Sequence, residues 1–432
     1  MKVGNKMKLK ISNVAKIEKA TLNIDGITVI AGENNTGKST IGKVLFTIFN
    51  SMNNMDEKIE QEKKNRIYRI ISALLQNRYL QKETHYAERR RNPNFIARKL
   101  TESLYENIGD EEFELENFLR EYIHGVGIFG EVEDEEEFVK ECAIKLETII
   151  NVSDKKAMSE VITRWFNRVF EDQMSPLMNE EVESKIELII KNIETSYILK
   201  KNACIDWKSD IDILHTAFYI DNPFVIDKIS DRFGSFKITE SHLLDYLCKE
   251  KEDIFEGVFD AVVAKDRLNE IYNLLGEIVD GDISKNQNGE YCLKLEECVN
   301  PLFMKNLSTG LKSFALIKML LENGSIKEKD VLILDEPEIH LHPEWQLAYA
   351  KLIVLLQKEF DLTMVITTHS PYFLDAIDVF STKYGLNDKV NYYLAENAGK
   401  VSCLRDVTNN IDVIYKKLSD PMQELENIRN GL

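Results

Sequence analysis

The segment GENNTGKST, residues 32–40, combines glycines, hydroxyls and a lysine in a spacing that can bind phosphate. Gly32, Gly37, Lys38 and Ser39 satisfy every fixed position of the pattern GxxxxGK[ST]. Glycine lets the backbone curl so that successive N–H groups point at phosphate oxygens. The pattern predicts that Lys38 bridges the β- and γ-phosphates and that the Ser39 hydroxyl binds Mg²⁺. The loop residues predicted to bind nucleotide are Gly32, Asn34, Asn35, Thr36, Gly37, Lys38, Ser39 and Thr40.

A second motif, VLILDEPE, places two carboxylates after an apolar run. The four residues 331–334 predict a buried strand with Asp335 and Glu336 at its carboxyl end, where α/β sheets bind ligands. We expect Asp335 to hold Mg²⁺ through water and Glu336 to orient and deprotonate an attacking water molecule. This pair suits a hydrolase better than a kinase.

Two polar segments flank that motif along the chain. In MVITTHS, a neutral His369 at the end of a predicted strand can hydrogen-bond near the γ-phosphate. Lys38, Glu336 and His369 are therefore the predicted catalytic residues. In LSTGLKS, Ser308 and Gly310 begin a predicted helix, whose first turn can bind an anion. Taken alone, Ser308 is explained as a helix cap and needs no ligand.

The elements that position these motifs predict an α/β fold. Residues 1–52 show strand alternation, a glycine-rich loop and a helix. Residues 53–250 are polar and acidic and predict a mainly helical insert, interrupted by a strand within 215–227. Residues 251–432 alternate strands and helices, which implies a mostly parallel sheet.

Bulk composition narrows the functional classes. The net charge of −18 argues against a protein coated in nucleic acid, because cations drive phosphate binding. The six cysteines are scattered and predict reduced thiols in a cytoplasmic protein. The start of the chain lacks the apolar core of a signal peptide, and no apolar run approaches a membrane span of about 20 residues. We therefore expect no membrane partner.

In this order, GENNTGKS, LSTG, LILDEPEIHLHP and TTHS resemble an ABC-type ATPase head of the SMC/RecF/OLD group. The resemblance covers roughly residues 7–52 and 288–380. It implies an ATP- and Mg²⁺-dependent head in which Ser308 and Gly310 act on the nucleotide of a second copy. Two ATP molecules would then join a homodimer, or a higher oligomer of dimers. The segment EIHLHP would be the D-loop, with Glu338 and His340 crossing the interface; a metal pair formed by His340 and His342 is the alternative.

The chain also departs from the larger members of that group. The stretch between Ser39 and Leu307 is too short and too poor in heptads for an SMC coiled coil. The segment after His369 lacks the acidic cluster that an OLD-type nuclease domain needs. No Q-loop glutamine can be assigned, although Gln76 and Gln81 are weak candidates. The chain most resembles compact ATPases of bacterial anti-phage systems, such as those of Septu or PARIS.

Three functional hypotheses remain open at this point. The first is an ATP-hydrolysing dimer that controls a separate effector, such as a nuclease, in anti-phage defence. The others are a RecF-like ATPase acting directly on DNA and an ATP-clamped regulatory scaffold with negligible turnover. The basic segment 87–99 could contact nucleic acid or be a solvated helix end. Its candidate contacts are Arg89, Arg90, Arg91 and Arg98.

Overall fold

The computed structural model describes residues 7–81, 92–108, 113–127, 129, 132–229, 234–249, 258–295 and 298–429. The strands in these ranges are β1 (Met7–Val14), β2 (Ile17–Asn23), β3 (Ile27–Gly32), β4 (Ser184–Ile190), β5 (Ile193–Lys200), β6 (Ala203–Ser209), β7 (Ala217–Ile220), β8 (Asp282–Lys285), β9 (Tyr291–Lys294), β10 (Leu302–Phe303), β11 (Val331–Asp335), β12 (Thr363–Thr368), β13 (Val390–Ala398) and β14 (Val401–Asp406). The helices are α1 (Lys38–Met52), α2 (Met55–Gln81), α3 (Pro93–Asn107), α4 (Leu115–Val126), α5 (Val132–Ile150), α6 (Asp154–Phe170), α7 (Ile238–Leu247), α8 (Val258–Ile278), α9 (Thr309–Glu322), α10 (Pro343–Phe360), α11 (Pro371–Lys383) and α12 (Asp412–Arg429).

A large sheet runs in the order β6-β5-β4-β1-β2-β14-β13-β3-β12-β11-β7. The strands β7, β11, β12, β3 and β13 pair with one another in parallel, whereas β13 pairs with β14, and β1 with β2 and β4, in antiparallel fashion. The pairs β4–β5 and β5–β6 are also antiparallel. The parallel strands β3 and β12 are buried along their whole length, as expected where helices cover both faces of a sheet. The predicted α/β fold class is confirmed.

The register of the parallel strands brings the polar motifs to one edge. Ala31 of β3 pairs with Thr368 of β12, and Thr367 pairs with Asp335 of β11. On the far side of β11, Ile220 of β7 pairs with Leu334. The carboxyl ends of β3, β12, β11 and β7 are therefore level, and the loops that leave them form one site.

Helix α1 lies close to this sheet because it carries a glycine at the crossing point. A Cβ atom on Gly42 would stand 2.6 Å from Cγ2 of Ile333 and 3.1 Å from Cε2 of Tyr219. Real Cβ atoms do not approach other atoms so closely, so only glycine permits this packing distance. Ser39, one turn earlier, is thereby held near the end of β11.

The chain divides into two compact units. The described residues up to Asn53 and from Ile162 onward form the first unit, and those of 54–161 form the second. The second unit contains α2 to α5 and has its own core, formed by residues that include Ile71, Leu75, Leu100, Leu119 and Phe138. Among the described residues, no helix combines the length and apolar character needed to cross a bilayer.

The separate helical unit ends near residue 161, whereas the sequence predicted a helical insert that continues to residue 250. Strands β4 to β7 lie between these two positions and belong to the large sheet. In β4, buried and more exposed residues alternate up to Ile189, and three of its seven residues are polar. These strands follow a long polar and acidic region, and that context concealed their period of two. The strand predicted within 215–227 is β7.

Candidate nucleotide-binding and hydrolysis site

The loop between β3 and α1 has the backbone curvature that its glycines permit. Gly32 and Gly37 have φ angles of +149° and +79°, and Asn35 lies at +58°. A Cβ atom on Gly32 would stand 2.2 Å from the carbonyl oxygen of Ala395 on β13. The fold therefore requires both glycines, and their conformation is the one expected of a phosphate-binding loop.

Lys38 is buried at the start of α1 and is held by its own loop. Its Nζ donates to the carbonyl oxygens of Gly32 at 3.3 Å and Glu33 at 2.9 Å. The same Nζ lies 2.8 Å from Nε2 of His369. Burial lowers the pKa of Lys38 below its usual range, and the nearby carboxylates of Glu336, Asp335 and Glu338 oppose that shift. Lys38 is therefore a desolvated cation placed over the loop that is predicted to bind phosphate.

Asp335 accepts three hydroxyl hydrogen bonds. Its Oδ1 accepts from Ser39 at 3.0 Å and from Thr367 at 2.5 Å, and its Oδ2 accepts from Tyr219 at 2.6 Å. Burial and the Asp335 charge raise the pKa of Tyr219 well above its usual value, so this phenol stays a donor. The Ser39 hydroxyl and the Asp335 carboxylate are hard oxygen ligands in contact with each other. This pair fits Mg²⁺, which prefers such oxygens.

Glu336 and His369 face each other beside Lys38. Glu336 Oε1 lies 2.9 Å from Nε2 of His369, and both side chains are partly exposed, at 27% and 29%. Glu336 has a φ of +53°, a left-handed conformation that is uncommon for a non-glycine residue. Its N–H donates to the carbonyl oxygen of Thr367 at 3.1 Å, which holds this conformation. Nε2 of His369 thus lies within hydrogen-bonding distance of both Lys38 and Glu336.

Glu338, which the D-loop resemblance predicted to cross a dimer interface, is not exposed in the structure. Its side chain is buried inside its own chain, where Oε1 accepts from Thr368 Oγ1 at 2.6 Å and from the N–H groups of His369 at 2.8 Å and Ser370 at 3.3 Å. Burial raises the pKa of this carboxyl group. His340 is exposed and meets the Phe224 ring edge-on at a centroid distance of 5.8 Å. The described residues contain no group of three or more metal-ligating side chains that would support a His340–His342 metal site.

Ser308 and Gly310 stand at the start of α9. The exposed Ser308 caps the helix, and its hydroxyl accepts from the N–H of Leu311 at 3.4 Å. A Cβ atom on Gly310 would stand 2.8 Å from Cε3 of Trp345, so α10 packs closely there. The hydrogen bond described for Ser308 therefore lies within its own helix, and its action on a second copy stays a prediction.

The weaker predicted contacts fall outside this site or outside the described residues. Gln76 donates to Ser72 and Asn94 within the helical unit. The side chain of Gln81 and the whole of Arg89, Arg90 and Arg91 lie outside the described residues. Arg98 is 75% exposed and pairs with Glu102 at 3.1 Å. Nucleic-acid binding at these arginines stays a prediction.

Sequence reasoning missed several residues that support the loop. Lys16, in the turn after β1, donates to the carbonyl oxygen of Asn35 at 2.5 Å and to Asn397 at 2.8 Å. Lys417 of α12 pairs with Glu33 at 2.6 Å, and this hydrogen bond lowers the pKa of Glu33. Tyr219 could have been suspected only from the adjacency of β7 and β11. These contacts join segments far apart in sequence, so no local motif reveals them.

Comparisons with known proteins identify a family for this chain and several similar proteins. Residues 7–374 match the model of the AAA ATPase domain family (AAA_15). The Septu protein PtuA of Bacillus thuringiensis is 30% identical over 109 residues, which are 22% of this chain and only 27% of PtuA. The SMC head domain from Thermotoga maritima aligns over 93% of this chain and 99% of its own, at 12% identity and a TM-score of 0.39. The SMC head bound to the C-winged helix domain of ScpA aligns over 94% and 98%, at 10% identity and a TM-score of 0.41.

Proposed function

This chain belongs to the AAA ATPase domain family and is an ATPase, and we propose that it closes as a dimer around two ATP molecules to control a separate effector. One observation carries the catalytic part of this proposal. Lys38, His369 and Glu336 contact one another in series, Ser39 contacts Asp335, and the two groups are joined because these residues are adjacent along the chain. A cluster of side chains that only stabilised the fold would not need to lie beside a loop of the phosphate-binding type.

In the proposed reaction, Lys38 and the loop N–H groups bind the phosphates of ATP. Glu336 orients the attacking water and accepts its proton, and His369 donates a hydrogen bond to the γ-phosphate. Ser39 and Asp335 would hold Mg²⁺, which supplies charge neutralisation of the phosphates. The left-handed backbone of Glu336 supports this assignment, because strained conformations cluster at functional sites.

Lys38→Ala tests the ATPase assignment, with Lys43→Ala as the matched control. Lys43 lies on the same helix, five residues further along, and carries the same charge. We expect Lys38→Ala to remove ATP turnover, while Lys43→Ala retains it. Equal turnover in the two variants would refute the proposed role of Lys38.

The dimer proposal is supported by the surface around Ser308. The N-terminus of α9 is exposed at Ser308, although helix N-termini bind anions well. Ile339 and Phe224, which are 62% and 40% exposed, are large apolar side chains on neighbouring segments of the same unit. A twofold contact would place this surface of each copy against the phosphate loop of the other.

Mixing two inactive variants tests whether Ser308 acts in trans. Lys38→Ala removes one half of each composite site, and Ser308→Arg blocks the other half. Half of the dimers in an equimolar mixture pair unlike chains, and each of these has one intact site. Turnover should therefore return to about a quarter of the wild-type value, because the interface is isologous. If Ser308 acts within its own chain, the mixture stays inactive.

The defence role is supported by the local identity with the Septu protein PtuA. The matched part covers about a quarter of PtuA, so the role as an effector-controlling subunit is an inference from that similarity. Co-expression with neighbouring genes should give an isolable complex and phage resistance that Lys38→Ala abolishes. A RecF-like activity would instead appear as DNA-stimulated ATP turnover by the chain alone. An ATP-clamped scaffold would keep its biological activity when Glu336→Gln prevents turnover.

A further inference from the structure

The turn after β11 is tied to the segment after β12 by one buried carboxylate. Glu338 Oε1 accepts from the Thr368 hydroxyl and from the backbone N–H groups of His369 and Ser370. The other oxygen, Oε2, is buried and has no hydrogen-bond partner in the described structure. All three bonds therefore converge on a single acceptor atom.

A second side chain ties the same two segments. Gln346 of α10 donates to the carbonyl oxygen of Leu341 at 3.1 Å and accepts from the Ser370 hydroxyl at 2.8 Å. Ser370 also caps α11 by accepting from the N–H of Phe373 at 3.2 Å. The chain on the C-terminal side of His369 is thus held by contacts to α10 and within α11, while Glu338 holds His369 itself.

We propose that Glu338 is a positioning residue for ATP hydrolysis, because it sets the backbone from which His369 reaches Lys38 and Glu336. The Glu338 Oε1 to His369 N distance is 2.8 Å, and the His369 ring lies 2.8 Å from Lys38 and 2.9 Å from Glu336. Displacing this backbone changes both ring contacts together. The inference rests on the proposed role of His369 in hydrolysis.

The bonding pattern predicts which substitutions at position 338 are tolerated. Glu338→Gln keeps a side-chain oxygen that can accept all three bonds. Glu338→Ala leaves two backbone N–H groups and the Thr368 hydroxyl without this acceptor. Glu344→Ala is the matched control, since Glu344 is an exposed carboxylate six residues later.

ATP turnover and nucleotide affinity separate positioning from binding. Glu338→Ala should lower kcat at least about tenfold. KM and the Kd for ATP should change less than about threefold, because ATP binding relies on Lys38 and Ser39. Glu338→Gln should restore kcat to within about threefold of the wild type. Glu344→Ala should change neither quantity. An equal loss of kcat in the Gln and Ala variants, or a parallel loss of ATP affinity, would overturn the proposal.

A spectroscopic measurement tests the position of His369 without turnover. The chain has seven histidines, so the ring signals of selectively labelled protein can be resolved by NMR and assigned with His369→Gln. The His369 signal should shift in Glu338→Ala and stay near its wild-type position in Glu338→Gln. An unshifted signal in the folded Ala variant contradicts the proposal. If Glu338→Ala does not fold, Thr368→Val, which removes one of the three donors, should give a smaller shift and a smaller loss of kcat.

These experiments also distinguish a failure of the inference about Glu338 from a failure of the proposed role of His369 in hydrolysis. If His369→Gln leaves kcat unchanged, the proposed role of His369 in hydrolysis fails. A shifted His369 signal in Glu338→Ala would still show that Glu338 positions this ring. If His369→Gln lowers kcat but Glu338→Ala leaves both the signal and kcat unchanged, the inference about Glu338 alone fails.

Discussion

Replacing Gly42 by alanine should destabilise the sheet unit and loosen the nucleotide site. The added Cβ would stand 2.6 Å from Ile333 Cγ2, an atom of a buried β-branched side chain. Branching at Cβ restricts the rotamers of Ile333, so this methyl group cannot move away freely. Overpacking of this kind costs about 1–3 kcal/mol. Alanine recovers about 0.8–1 kcal/mol of helix propensity, which leaves a net loss of up to about 2 kcal/mol.

Gly276→Ala on α8 is the matched control for the same substitution in a helix. A Cβ atom at Gly276 meets nothing within 4 Å, so only the propensity gain remains. Thermal unfolding should show a lower Tm for Gly42→Ala, by about 2–4 °C for each kcal/mol lost, and an equal or higher Tm for Gly276→Ala.

The same substitution should weaken nucleotide binding. Moving α1 away from β11 lengthens the contact between Ser39 and Asp335, which is 3.0 Å in the structure. We expect the Kd for Mg·ATP, measured by titration calorimetry, to rise in Gly42→Ala and to stay unchanged in Gly276→Ala. If Gly42→Ala keeps both its Tm and its Kd, the packing argument is wrong.

Three further predictions concern Lys38, Cys142 and the contact between Glu336 and His369. Because burial lowers the pKa of Lys38, the ammonium is lost at a lower pH than in free lysine. ATP affinity should therefore be constant below that pKa and fall by up to about tenfold per pH unit above it. The ATP affinity of Lys38→Arg should not change over the same pH range. A wild-type ATP affinity that is constant up to about pH 10 would contradict this. Burial raises the pKa of Cys142 to about 12, so iodoacetamide followed by mass spectrometry should label exposed Cys298 in the native protein and Cys142 only after unfolding. Glu336→Gln and His369→Gln alter one contact, so their effects on kcat should be less than additive in the double variant.

The sequence predicts the residues of the candidate site better than it predicts the strands that surround them. The phosphate loop and the Asp335–Glu336 pair are contiguous motifs whose flanking apolar runs also predict the strands that carry them. Strands β4 to β6 follow a long polar, acidic region, and they join the large sheet through the pairing of β4 with β1. That pairing joins Ile11 to Ile186, and no local pattern specifies a partner so distant along the chain.

Glu338 shows why a motif alone did not determine a side-chain role. Its neighbours in the segment DEPEIHLHP suggested an outward position at a dimer interface. The side chain turns inward because Thr368, His369 and Ser370 offer it three donors at the end of the adjacent strand. A carboxylate that satisfies several donors inside the protein is stabilised there despite its burial. This outcome depends on the pairing of β11 with β12, which the motif does not contain.

On the proposed mechanism, the contacts around His369 would link the binding of ATP to its hydrolysis. Lys38 is the residue proposed to bind phosphate, Glu336 is the proposed base, and both meet the same ring nitrogen. A neutral imidazole nitrogen either accepts or donates one hydrogen bond, so Nε2 cannot satisfy Lys38 and Glu336 in the same way at once. A phosphate that takes over Lys38 frees this nitrogen for Glu336 or for the phosphate itself. Since Glu338 fixes the backbone of His369, the exchange can occur by ring and side-chain movements alone, without displacing strand β12.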